Sequence, residues 1–172
     1  MSYKAMITKI YDKNPDAYPA FPANPDTRLT ARAVLMDDEG RMAVMFIANK
    51  GYHKLPGGGL LEGEDLSTGL ARELKEETGC EAQVLHHVHT VEEYRAKGGF
   101  LQVSQGYLAK VVGPKGPTAF DAGEIRDDFV LLWLDPQDVL ERLEAESLTH
   151  DYSHYFINTR ERAILKAALL HL

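Results

Sequence analysis

The sequence predicts an α/β fold, on three observations. Runs rich in apolar and β-branched residues at 29–36, 41–48, 82–94, 100–112 and 129–134 read as strands. Helical spacing of apolar residues recurs at 65–78, 136–146 and 155–170, interleaved with those runs. No apolar run approaches the roughly 18 residues of a membrane span, so these elements pack against one another. At 172 residues the chain fits one domain, 1–172, long enough to bury a core.

Residues 1–28 carry Pro15, Pro19, Pro22 and Pro25, a spacing that forbids a long helix and suggests an extended arm over the surface. Within it, Met6 to Tyr11 reads as a short edge strand. The arm is a structural wrap, or else a segment that covers substrate or touches a second copy. Leu29–Met36 and Arg41–Ala48 flank Asp37-Asp38-Glu39-Gly40, a four-residue turn ending in glycine. Arg32, inside the first run, either faces solvent or points into a cleft, where guanidinium matches paired phosphate oxygens. In the following segment Tyr52 or His53 can stack on a ring and Lys54 can meet a phosphate, with plain loop exposure as the alternative. Leu55-Pro56-Gly57-Gly58-Gly59 then sets a stiff approach before three residues without side chains, through which backbone groups can come close to an ion or a phosphate.

The helix that follows has a start and a stop: Asp65 can cap its first free N–H groups, and Gly79 can take the left-handed conformation past its last turn. At about 100° per residue, Leu66, Leu70, Ala71 and Leu74 form its core stripe, with Lys75 at the opposite pole. Glu77 falls at the angle of the apolar stripe, and Glu73 and Glu76 lie along its edge beside Gly69. Carboxylates about 5–6 Å apart repel by roughly 3 kcal/mol per pair at an effective dielectric near 20. Such a cluster needs cations, raised pKa values, or both. Few, hard oxygen ligands are what Mg²⁺ prefers, with waters and a substrate phosphate completing its octahedron. A glycine loop feeding a glutamate-faced helix therefore points to metal-assisted chemistry on a phosphate group.

Beyond the helix, 82–94 and 100–112 read as hairpin partners across Arg95-Ala96-Lys97-Gly98-Gly99. His86, His87 and His89 invite a zinc reading. It fails, because His87 and His89 share one strand face and no fourth ligand is apparent. Arg95 and Lys97, at a glycine-rich turn, are candidates for substrate phosphates. Residues 113–117 form a Gly/Pro turn, and 120–128 a loop dense in acids (Asp121, Glu124, Asp127, Asp128). The buried strand 129–134 carries the only tryptophan. Pro136 sits at the first turn of the next helix with Asp135 as cap. The last helix puts Phe156, Ile164, Leu165, Ala168 and Leu169 near one face.

The net charge of −7 opposes sequence-independent binding to nucleic acid and long-range attraction of a polyphosphate. A polyanionic substrate must be captured by local cations. One cysteine rules out an internal disulfide and a cysteine-based zinc site, and no signal segment opens the chain; both fit a cytoplasmic protein.

Gly58, five residues, Glu64, seven residues, then Arg72-Glu73-Leu74-Lys75-Glu76-Glu77-Thr78-Gly79-Cys80 resembles the signature of the Nudix hydrolases. All seven fixed-type positions match, which chance would produce in about one chain in a million. Cys80 replaces the usual aliphatic residue and serves as a small buried hydrophobe. The resemblance implies an α/β/α sandwich with a mixed β-sheet between helices, and hydrolysis of a nucleoside diphosphate linked to another group. It implies that Glu76 and Glu77, with the Gly57 carbonyl, hold Mg²⁺ or Mn²⁺, and that Glu73 holds a second ion or orients the attacking water. Arg72 orients these carboxylates, and Glu64 fixes the loop by a salt bridge to the helix. An acidic residue before the late strand assists as ligand or general base in that family; Glu124 is the one chosen here. Arg32, Lys54 and Arg95 are the candidate phosphate-binding cations. The expected substrate is a nucleoside triphosphate, oxidised or not. The alternatives are ADP-ribose-like sugar nucleotides, although the proline that marks their hydrolases is missing near Glu93-Tyr94-Arg95, and dinucleoside polyphosphates. A non-catalytic ligand sensor is the reading of another class, opposed by the intact glutamates. RNA cap removal would need a basic surface. The family often dimerises, so a homodimer is allowed.

Overall fold

A computed structural model of the protein describes residues 6–148 and 151–172. Its strands are β1 (Ile7–Tyr11), β2 (Asp26–Met36), β3 (Met42–Ile47), β4 (Tyr52–Lys54), β5 (Gly57–Gly59), β6 (Glu81–Arg95), β7 (Phe100–Val112) and β8 (Phe129–Leu134). The helices are α1 (Leu66–Thr78), α2 (Ala122–Arg126), α3 (Pro136–Ala145) and α4 (Tyr152–Leu169). The sheet runs β1-β6-β7-β2-β3-β4, with β5 added on β2 and β8 on β3. β1 pairs β6 in parallel and β2 pairs β7 in parallel, while the other pairings are antiparallel, so the sheet is mixed.

Period-two alternation along the strands sends side chains to two cores. On one face Ala31, Ala33 and Leu35 of β2, with Ala43 and Ala109, meet Leu70, Leu74 and Cys80. The alanines leave room for α1 to lie close to the sheet, and burying Leu70 and Leu74 contributes about 2–3 kcal/mol each. On the other face Val34, Val44, Val91 and Leu108 pack against Val139, Leu140 and Leu143 of α3 and Phe156, Ile164, Leu165 and Ala168 of α4. Helices therefore cover both faces of the mixed sheet, as the α/β reading requires.

The site originates where β2 and β3 part. They share one register pair, Met36 with Met42, beyond the turn. β4 continues along β3, and β5 continues along β2 with Thr30, Ala31 and Arg32 opposite Gly59, Gly58 and Gly57. The chain crosses between them at Leu55-Pro56, pinned by the Ala33 N–H donating to the Pro56 carbonyl at 3.1 Å. Gly57 sits there with φ +134°, and a Cβ would fall 2.1 Å from the Ala31 carbonyl oxygen, so only glycine fits.

Several expectations change. β2 begins at Asp26, so the proline arm is shorter than 1–28. Its described part packs Phe21 on Tyr94 and Tyr18 on Tyr152. Ala71 is exposed rather than part of the core stripe, because α1 meets the sheet only through Leu70 and Leu74 and the residues beside them. The acidic segment is not all loop: Asp121 and Glu124 make a reciprocal capping box that starts α2. β8 is half-buried, pairing β3 alone, so Trp133 packs at the margin of the α1-side core with Lys115 over its ring rather than being fully buried. A bulge between His87 and His89 puts the two histidines on opposite faces. His87 meets Gln105, and His89 meets Thr8.

Candidate active site

Asp65 caps α1 by accepting the Thr68 N–H at 2.7 Å, and Gly79 ends it with φ +70°. The segment before α1 folds back on the helix at Gly69, where a Cβ would meet Leu60 at 2.4 Å and the Glu64 carboxylate at 2.8 Å. Arg72 locks that fold. Its Nε and Nη2 each donate to Glu64 at 2.9 Å, and Nη2 also donates to the Gly59 carbonyl at 3.2 Å. Nη1 bridges Glu73 at 3.0 Å and Glu76 at 3.3 Å. The arginine side-chain bonds, with the Leu61 N–H, hold the Glu64 carboxyl down at about 2. Arg72 and Glu64 are thus committed within the protein, as positioning residues.

The three glutamates differ in environment. Glu76 keeps 40% of its side chain exposed. Glu73 is partly buried behind Gly58, where a Cβ would fall 2.6 Å from its Oε1, and burial raises its pKa against the pull of Arg72. Glu77 is 1% exposed. It accepts the Gly57 N–H at 2.9 Å and stands 3.6 Å from the Lys54 ammonium. Burial pushes its carboxyl up to about 7 in spite of Lys54, and a hydrogen bond with the Glu124 side chain acts in the same direction. Glu124 is brought there by the segment before α2, whose Ala119 N–H donates to the Glu76 carbonyl at 2.7 Å. Burial lowers the pKa of Lys54.

Arg32 is not on a solvent face. It is 7% exposed and donates from Nη1 to the Gly57 carbonyl at 2.9 Å, while its Nε has no partner. Burial, then the nearby Arg160, lowers its pKa. It lines an open cleft of about 530 Å³ with Arg28, Thr30, Gly59, Glu64 and Gln102. Arg95 stands apart from the glutamates. It is buried at the end of β6, bonded to Glu93 at 2.8 Å and Ser153 at 3.1 Å, and it lines a second cleft that meets the first at Arg28.

Behind the loop lies an ionic group the sequence reading missed. Arg160 of α4 bonds Glu161 and, at 3.2 Å, Glu93; the other Glu161 oxygen accepts the Leu55 N–H at 2.7 Å. All three side chains are buried. The clue was present: Glu161 precedes Ile164, Leu165 and Ala168 by three, four and seven residues, so it stands on the apolar stripe as Glu77 does.

The donor set suits a divalent ion that prefers oxygen. Glu73, Glu76 and Glu77 lie on consecutive turns, and Gly57 adjoins them through its N–H on Glu77, while its carbonyl gives one lone pair to Arg32. Among the described residues no three acids already converge as a cage. Arg72 and Lys54 hold the carboxylates instead.

Residues 26–156 match the NUDIX domain. A MutT-like protein of Streptomyces ambofaciens is 30% identical over 115 residues, which are 67% of this chain and 68% of that protein. The crystal structure of a MutT NUDIX hydrolase from Burkholderia pseudomallei superposes with a TM-score of 0.58 at 22% identity, covering 83% of this chain and 98% of that one. A NUDIX hydrolase from Nitrosomonas europaea gives 0.57 at 18% identity, covering 82% and 95%.

Proposed function

The chain belongs to the Nudix family, and from that premise we propose that it is a divalent-metal-dependent pyrophosphohydrolase whose substrate is a nucleoside triphosphate, oxidised or not. Glu73, Glu76, Glu77 and the Gly57 carbonyl would hold Mg²⁺, or Mn²⁺ in its place. When bound, the ion supplies neutralising charge to the phosphate oxygens and a lowered pKa to attacking water.

The protein's own residues supply the rest. Arg32 donates to a substrate phosphate oxygen from the cleft floor, and Lys54 joins it once released from Glu77. Arg72 keeps Glu73 and Glu76 oriented, and Glu64 keeps Arg72 in place. Glu124 takes the proton of the attacking water on its carboxylate, or passes it to Glu77 through their shared bond. The single buried cysteine, Cys80, suits a reducing compartment such as the cytoplasm. Among the described residues no helix is long and apolar enough to cross a membrane.

The observation that carries the reading is the charge around Gly57. Glu161 and Glu93 answer Arg160 and Arg95, and Glu77 answers Lys54. Arg32 makes no direct ion pair among the described residues, with Glu161, Glu77 and Glu93 acting on it only from further off, and it bonds the Gly57 carbonyl at the wall of an open cleft. A buried guanidinium without a directly paired anion is costly, and a ligand phosphate would supply one.

The test is a panel of nucleoside triphosphates, sugar nucleotides and dinucleoside polyphosphates incubated with Mg²⁺, with phosphate and pyrophosphate release measured. The expected result is turnover of a triphosphate by the wild type and a loss of about 100-fold or more in Glu76→Gln. Turnover confined to another class would replace the substrate reading. Binding without turnover of any compound would replace the enzyme with a ligand sensor.

A further inference from the structure

We propose that the second cleft, between the β6–β7 turn and the start of α4, is a subsite for a further anionic group carried by the substrate away from its scissile pyrophosphate. The inference rests on the reading of the glutamate site given above and adds a substrate feature to it: a nucleotide bearing another phosphate or carboxylate on its sugar or base.

The cleft is open, about 570 Å³, and is lined by Arg28, Arg95, Lys97, Phe100, Asp151 and Ser153, among others. Two of its three cations, Arg28 and Lys97, are held by aromatic faces rather than carboxylates. The Arg28 guanidinium lies 3.8 Å from the centre of the Phe100 ring, and the Lys97 ammonium 5.4 Å from that of Tyr152. Ring faces fix a cation in place without cancelling its charge. Among the described residues neither Arg28 nor Lys97 has an ion pair, on a protein whose net charge is −7.

The cleft has a buried floor as well. Arg95 is 8% exposed, its Nη2 is used by Glu93 and its Nη1 by Ser153, and its Nε has no partner. The 18-residue helix α4 begins here, its N-terminus already capped by the Asp151 carboxylate. The one acid in the cleft, Asp151, already accepts from the His154 N–H at 2.8 Å and the Tyr52 hydroxyl at 3.4 Å. Against this one acid the cleft lining sets Arg28, Lys97 and Arg95, so positive charge is in excess.

The two clefts are continuous at Arg28, which lines both. Arg28 and Arg32 are four residues apart on β2, opposite Gln102 and Gly106 of β7, so roughly 13 Å of strand separates their backbone positions. A plain triphosphate bound at Gly57 leaves the second cleft unfilled. A nucleotide with an additional charged group reaches it.

The experiment compares a nucleoside triphosphate with the same compound carrying an extra phosphate on its ribose. Affinities are taken by calorimetry with the metal chelated, so that neither is hydrolysed and the result does not depend on catalysis. The extra phosphate should tighten binding about tenfold, a ratio that Lys97→Ala and Arg28→Ala each reduce below about threefold and Lys97→Arg largely keeps. Inorganic phosphate added at millimolar levels should compress the ratio in the wild type; if it does so equally in Lys97→Ala, the anion sits elsewhere and the subsite is refuted. Equal affinities in the wild type, or no measurable binding of the phosphorylated nucleotide, would also overturn it. If neither compound is turned over with Mg²⁺ but the calorimetric ratio holds, the reaction assignment fails and the subsite stands.

Discussion

Glu77 shows how one side chain carries both a stability cost and a binding function. Its carboxyl lies at about 7, well above the ordinary 4.5, and burial is the main cause. In metal-free protein the folded state therefore holds a proton that the unfolded chain has released. That contribution is fully present below about 4.5 and is lost as pH rises through 7. His89, lowered by burial, acts in the opposite sense as pH falls through the ordinary histidine value, so the effect is read as a difference. Thermal melts in chelator from pH 5 to pH 8 should show the wild type losing at least about 2 °C relative to Glu77→Gln across the interval. Parallel curves would mean Glu77 is ionised throughout. The position of Glu77 was legible in the sequence because a charge at the angle of a leucine stripe has no bland explanation. The fate of Arg32 was not, since nothing local says that helices cover both faces of its strand and leave it no solvent face.

At the scale of elements, the glycine loop is clamped between two helices on opposite faces of the sheet. α1 holds it from one side through Glu77 and the Gly57 N–H; α4 holds it from the other through Glu161 and the Leu55 N–H. Glu161 also answers the buried Arg160. Glu161→Ala should destabilise the fold by about 3–5 kcal/mol, because it leaves a buried guanidinium short of its counter-charge. Urea unfolding measures this; a loss under about 1 kcal/mol would mean that water or a shifted Glu93 replaces the carboxylate. The loop–helix unit was readable from its own residues, since caps, glycines and helical spacing are local signals. The clamp from α4 was hidden because its partners lie 106 residues apart, and local pattern says only that Glu161 is oddly placed. The short helix α2 escaped for a related reason: four acids in nine residues resemble a solvated loop until the capping box between Asp121 and Glu124 is seen.

On the scale of the whole molecule, an acidic chain gathers cations without direct ion pairs along one groove, from Arg32 past Arg28 to Lys97, and clusters carboxyl groups at the end of α1. The sheet order explains the juxtaposition. β2 pairs with β7 along its length and receives β5 where β3 diverges, so the groove residues and the glutamate helix meet at Gly57. Fold class and the signature helix follow from short-range pattern. The order of strands, the edge position of β8 and the reach of the second cleft depend on long-range pairing, which periodicity does not encode. The central claim is that the acid face of α1 and the Gly57 loop form one divalent-ion site. It is tested most directly by titrating Mn²⁺ into the metal-free protein and following free ion by electron paramagnetic resonance. The wild type should bind with an affinity that falls about 10-fold or more in Glu76→Gln and is abolished when Glu73, Glu76 and Glu77 are all replaced by Gln in a protein that still melts cooperatively. Undiminished Mn²⁺ binding by that folded triple variant would contradict it.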